Sequence, residues 1–130
     1  MHAFRAAVEA HDIDTVEALL ADDVVFSSPV VFRPYHGKAT TTAILRAVER
    51  VFEDFRYERV IGEAGGRDHA LVFSARVGDR EIGGCDFLRL DDDGRIAELT
   101  VMVRPLSGAQ ALQAAMAEEF ERIAEEAGKP

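Results

Sequence analysis

A single cysteine, Cys85, is present among 130 residues. No disulfide can form within the chain, which excludes the stapled architecture of small secreted domains and makes a reducing cytoplasm the expected location. No apolar run approaches the roughly 18 residues that a membrane-spanning helix needs. The opening segment MHAFRAAVEAHD lacks the long apolar stretch of a secretory leader. Basic residues are outnumbered, 15 Lys and Arg against 24 Asp and Glu, for a net charge of -9. Such a surface repels a phosphate backbone unless basic residues cluster, and the arginines here are scattered. Neither nucleic acid nor a membrane is expected as a partner. The chain also lacks HExxH, CxxC, GxSxG and GxGxxG. Its four histidines lie far apart, so no metal site is expected and no cofactor is implied. Asp91-Asp92-Asp93-Gly94 lacks the spacing of a calcium loop and reads as a solvated turn.

What remains is a globular composition, 48% hydrophobic and 30% charged, long enough to bury a core as one domain over residues 1–130. Phe4, Ala7 and Val8 mark a short helix over residues 3–11. Asp12 is a helix N-cap for Ile13, Val16, Leu19 and Leu20. DDVVFSSPVVF reads as a strand ending near Pro29, and Pro34 and Gly37 mark a loop. Ile44, Val48, Val51, Phe52 and Phe55 then form the strongest helical stripe in the chain. Residues 56–63 read as a strand, Gly65-Gly66 as a turn, and 68–77 and 80–90 as a hairpin across Gly78-Asp79. RIAELTVMVRP is the last strand. Ser107 and Gln110 form a capping box opening a helix with Leu112, Met116, Phe120 and Ile123, which Gly128 and Pro130 stop. Helices, a strand, a helix, four meandering strands and a final helix make an α+β domain.

Three stretches, AHDIDTVEALLADDVVFSSPV, PYHGKATTTAILRAV and CDFLRLDDDGRIAEL, resemble the nuclear transport factor 2-like superfamily, in particular its SnoaL-like and ketosteroid isomerase-like branches. The resemblance covers roughly residues 1–104. It implies a cone-shaped, cystatin-like α+β fold, in which a curved, mostly antiparallel sheet wraps around N-terminal helices, with an additional C-terminal helix. It also implies a deep pocket for an apolar small-molecule ligand, polyketide-like or steroid-like, and a homodimer formed through the outer sheet face. Period-two alternation from an inward Asp86 places Ile82, Gly84, Leu88 and Leu90 on the inner face. The resemblance adds Leu71, Phe73 and Ala75, then Leu99, Val101 and Val103, and Val24, Phe26 and Ser28. Substrate contacts are accordingly expected from Ser28, Phe26, Leu71, Phe73, Leu88, Leu99, Val101 and Val103. Alternation sends Cys85, Phe87, Thr100 and Met102 to the outer face, with Val72 beside them.

Asp86 is the carboxylate among those apolar side chains. Burial raises such a pKa, and a neutral acid can donate to an oxyanion or act as a general acid. Asp86 matches the oxyanion-hole aspartate of ketosteroid isomerases, whose use of a protonated aspartate is the known example of this logic. The alternative is a structural aspartate held by backbone or an arginine. Two family positions depart from that enzyme. Ser28 stands where its base aspartate precedes the proline, and Phe4 stands where its oxyanion-hole tyrosine would be. These departures argue against true ketosteroid isomerase activity. Another base is needed, with His36, Tyr35 and His69 as candidates near the rim. A loop role competes for His36 and Tyr35, a surface position for His69, and an anchoring ion pair is expected for Arg104. Three readings follow: an isomerase- or cyclase-type enzyme, a non-catalytic ligand-binding protein, or a structural homodimer with a filled pocket.

Overall fold

The computed structural model describes residues 2–128. Two short helices, α1 (His2–Glu9) and α2 (Ile13–Leu19), precede β1 (Leu20–Ser27), β2 (Tyr35–His36) and α3 (Lys38–Val51). A meander follows of β3 (Glu53–Ile61), β4 (Asp68–Val77), β5 (Arg80–Leu90) and β6 (Ile96–Arg104), then α4 (Leu106–Glu118) and α5 (Phe120–Ala127). The strands form one six-stranded sheet in the order β2-β1-β6-β5-β4-β3. Its pairings are antiparallel except β1 with β6, which is parallel. A parallel pair needs a long crossover, and here β2 to β5, with α3, lie between the two strands in sequence. No helix among the described residues is long and apolar enough to cross a membrane.

Local chemistry sets several boundaries. The Asp12 carboxylate accepts the Thr15 backbone N–H at 3.1 Å and its hydroxyl at 2.6 Å, which caps α2 as its sequence predicts. The β4–β5 hairpin turns at Gly78-Asp79, with Gly78 at φ 59, a conformation that costs glycine nothing. β1 stops before Ser28, earlier than expected, because the Ser28 hydroxyl accepts the Val30 N–H at 3.1 Å and begins a turn. Tyr35 and His36, expected in a loop, pair with Phe26 and Val25 as a short strand.

Two helices differ from expectation. The α3 stripe ends at Val51, and Phe52 is already extended. Asp54, at φ 53, kinks the chain into β3, so Phe55 joins the stripe's aromatic cluster from a strand. The final helix is broken: the Glu119 N–H bonds the Met116 carbonyl at 3.0 Å, a tightened turn that separates α4 from α5. Arg50 of α3 bridges the break, 3.2 Å from Glu119 and 3.0 Å from Glu126. The proposed capping box is also absent. Pro105 occupies the N-cap position and no side chain caps α4, which places Ser107 inside the first turn. Gly108 packs on Ile82, where an added Cβ would lie 2.5 Å from the Ile82 side chain, so glycine permits that close docking. Gly128 caps α5; Pro130 lies outside the described residues.

The core lies between the inner sheet face and the helices, with Leu20, Val24, Phe26, Leu71, Phe73, Ile96 and Leu99 nearly inaccessible. β4 alternates buried and half-buried from His69 to Val77, the period-two pattern of a strand with one covered face. His69 follows that pattern and is buried, not at the surface; its Nε2 lies 2.7 Å from the Gly66 carbonyl. Arg104 makes no ion pair among the described residues.

Candidate active site

Asp86 sits in the middle of β5, paired with Leu71 on one side and Val101 on the other. It is one of few buried polar residues, with 8% of its surface exposed. Its partner is the Tyr57 hydroxyl, which donates to Oδ2 at 2.7 Å. Tyr57 belongs to β3, two strands away in the sheet. That separation is about 10 Å along a flat sheet, so the contact needs a long phenol crossing above β4 on the concave face.

An aromatic cluster fixes that phenol. Phe55 meets the Tyr57 ring edge-on at 4.9 Å, and Phe73 lies 5.0 Å from Phe55 and 5.8 Å from Phe52. Edge-to-face and tilted contacts at these distances are favourable for aromatic quadrupoles. The sequence makes room for them at Gly84. A Cβ there would lie 2.4 Å from Phe73 Cζ, so the Phe73 ring rests against bare backbone. A glycine inside a strand, costly in itself, here marks a close approach.

Burial is the main influence on the Asp86 carboxyl and pushes its pKa up to about 7, while the Tyr57 hydrogen bond pulls the other way. The same burial raises the Tyr57 phenol, and the neighbouring Asp86 charge and hydrogen bond add to the rise. Tyr57 therefore stays a donor near neutral pH, and Asp86 is present in both its acid and its carboxylate form.

The pair opens on a cavity of about 360 Å³. Its buried wall includes Phe4, Ile13, Val16, Phe26, Ile44, Leu99 and Leu112. Phe52, Phe55 and Val101 add further apolar surface, and α4 and α5 contribute Met116, Phe120 and Ile123. Exposed lining residues mark where the cavity meets solvent: His11, Val31, Glu49, Gln113 and Phe120. Among the described residues, no lysine or arginine lines it.

The expected site residues separate into two groups. Asp86, Tyr35, Ser28, Phe26, Leu99 and Val101 line the cavity. His36 does not; it is exposed on the opposite side of β2 from Tyr35. Leu71, Phe73, Leu88 and Val103 do not reach the cavity either. Leu71, Phe73 and Leu88 lie on the inner face and are buried, but inner face and cavity wall are different things. Phe52 and Phe55 cover Phe73 and take its place on the wall. Val103 lies beyond the cavity's end of β6, near where that strand runs out at Arg104.

Tyr57, the partner of Asp86, is not among the residues that the sequence singles out. The available signal was its isolation: in β3 it alone is buried, between charged Arg56 and Glu58. His11, placed on the first helix by the sequence, instead sits past α1 in a left-handed conformation with φ 57. Residues other than glycine seldom adopt it, with histidine, asparagine and aspartate the types enriched there.

Residues 1–99 match the SnoaL-like domain profile. Over 103 residues the chain is 32% identical to the epoxide hydrolase EphG of Mycobacterium tuberculosis, covering 74% of this chain and 65% of that protein. The chain thus spans just under two thirds of that relative's length. A steroid delta-isomerase from Pseudomonas aeruginosa superposes with a TM-score of 0.87 at 43% identity, over 94% of this chain and 89% of that one. A conserved bacterial protein from Silicibacter pomeroyi with a cystatin-like fold superposes with a TM-score of 0.85 at 33% identity, over 96% and 92% of the two chains.

Proposed function

This chain belongs to the SnoaL-like domain family, and we propose that it is an isomerase- or cyclase-type enzyme for an apolar small molecule that carries a carbonyl. The observation that carries this reading is the Asp86–Tyr57 pair, 2.7 Å apart and buried, at the wall of an otherwise apolar cavity. The similarity to a steroid delta-isomerase supports a steroid-like apolar molecule as substrate class.

The chemistry follows from the hydrogen bond. Tyr57 occupies Asp86 Oδ2, so the acid proton of neutral Asp86 sits on the other oxygen and can face the cavity. A substrate carbonyl within reach accepts that proton as its oxygen gains negative charge. The surrounding wall is apolar, and a donor held in place there stabilises the charge without reorganisation. Polarising a carbonyl is the step that double-bond isomerisation and intramolecular carbon–carbon closure share; the proton that leaves carbon needs a separate base, and Tyr35 and His11 are the lining side chains that could take it. With Asp86 titrating at about 7, the acid form predominates below neutrality. Turnover is expected to fall as pH rises through about 7.

The test is a panel of apolar β,γ-unsaturated ketones, followed by the ultraviolet absorbance of the conjugated product. Asp86→Asn should lower kcat by about a hundredfold or more, in the range of a lost general acid, and remove the pH step. Unchanged kcat in that variant would end the proposal. A second reading, a carrier that holds the same ligand unaltered, draws on Ser28: among the described residues the cavity has no second buried carboxylate. Ligand recovered unchanged after prolonged incubation supports the carrier, and product formation rules it out. The outer sheet face, with Phe87 and Met102 42% and 58% exposed, favours a homodimer. Light scattering that gives a monomer at micromolar concentration would refute that assembly.

A further inference from the structure

We infer that the cavity selects by charge: it takes a ligand whose far end is a neutral hydroxyl or another uncharged donor, and Glu49 at the mouth turns anionic ligands away. The inference rests on the reading of Asp86 and Tyr57 as the inner anchor and adds what the outer end must be.

Among the described residues, the cavity wall holds two carboxylates, Asp86 deep and Glu49 exposed, and no lysine or arginine. A carboxylate or phosphate bound there would leave water for apolar walls and find no cation. An unpaired buried anion is among the costlier things a site can hold. Turning the ligand's charge outward does not escape the problem. Glu49 stands at the mouth and makes no ion pair among the described residues, so its charge is uncompensated. The neighbouring Arg50 is committed to Glu119 and Glu126. The net charge of -9 adds to the repulsion.

The groups beside Glu49 at the mouth suit a neutral polar end. Gln113 offers a donor and an acceptor, and His11 a ring that does either. His11 occupies a left-handed position where glycine would be unstrained. Glu49 accepts only. An uncharged hydroxyl is the ligand group that all three can meet.

The test uses naphthalene probes that share one phenol and differ at the opposite end. Binding of 2,6-dihydroxynaphthalene and 6-hydroxy-2-naphthoate is followed by probe fluorescence at pH 8. The dihydroxy compound should bind at least about tenfold more tightly, the ratio that one close like-charge contact produces. Glu49→Gln should narrow that ratio, and Gln113→Lys, which places a cation at the same rim, should narrow it independently. Equal affinities in the unmodified protein, or a ratio that neither variant moves, would overturn the inference. Asp86→Asn separates the two layers of the argument: if it leaves the affinity of the dihydroxy probe unchanged, the inner anchor is wrong, whatever the charge ratio does.

Discussion

Replacing Asp86 with Asn should make the protein more stable at alkaline pH and remove a pH dependence that the unmodified protein carries. The folded chain raises the Asp86 pKa from 3.8 to about 7. Between those values the folded state holds a proton that the unfolded state has released, so stability falls as pH rises. Below about 4 both states are protonated and the full contribution is present; above about 7 both are ionised and it is gone. A rise of about three units, at about 1.4 kcal/mol each, amounts to on the order of 4 kcal/mol. That is a large share of the roughly 5–15 kcal/mol that holds a domain folded. Asn keeps the shape, and its side-chain carbonyl still accepts the Tyr57 hydroxyl, but it never ionises. Urea unfolding of both proteins from pH 4 to pH 8.5 measures the effect. Exposed carboxylates titrate alike in the two, so the difference curve isolates Asp86. It should decline by about 2–4 kcal/mol across this range and level off above pH 7. A flat difference curve would mean that Asp86 ionises as a solvated carboxylate does. The acid role would fall with it, since no neutral acid would exist near neutrality.

Two further substitutions probe the supports of that carboxyl. Tyr57→Phe removes the donor that holds the Asp86 pKa down, so the midpoint of the same difference curve should move above 7; it should also cost about 1–3 kcal/mol at pH 8, where an ionised buried carboxylate loses its Tyr57 hydrogen bond. A midpoint that stays put would show that the phenol does not couple to the acid. Gly84→Ala drives a Cβ to within 2.4 Å of the Phe73 ring, whereas Gly83→Ala meets nothing closer than 3.8 Å. Thermal melts should show a loss of about 1–3 kcal/mol for the first, the cost of overpacking, and little change for the second; equal losses would refute the account of why Phe73 lies where it does.

Much of the architecture was legible because it is written in local chemistry. The Asp12 cap, the Gly78-Asp79 hairpin and the bounds of β4 and β5 each depend on a few adjacent residues. With Asp86 taken as inward, alternation along β5 places Ile82 and Leu88 on the same face, and all three are buried. What alternation cannot supply is which inward residue meets empty space. Phe73 and Leu88 share a face with Asp86, yet other side chains cover them, and the cavity wall passes to Phe52 and Phe55. Those two were read as one helical stripe because helix period and aromatic clustering coincide where α3 gives way to β3 at Asp54. His69 departs from expectation for a related reason: it follows a turn, yet it already belongs to the alternation of β4 and faces inward.

Tyr57 is the instructive omission. A family pattern compares a residue with its counterpart at one position of one element, and by that measure the hydroxyl is missing at Phe4. A phenol nevertheless reaches Asp86 Oδ2, because a curved sheet brings the inner face of β3 within reach of β5. It arrives from another strand, with Phe55 and Phe73 packed against it. It meets the carboxyl and so does not replace the hydroxyl absent at Phe4, and a comparison made element by element does not find it, because on a concave sheet such a reach is set by curvature, which no single strand's sequence contains.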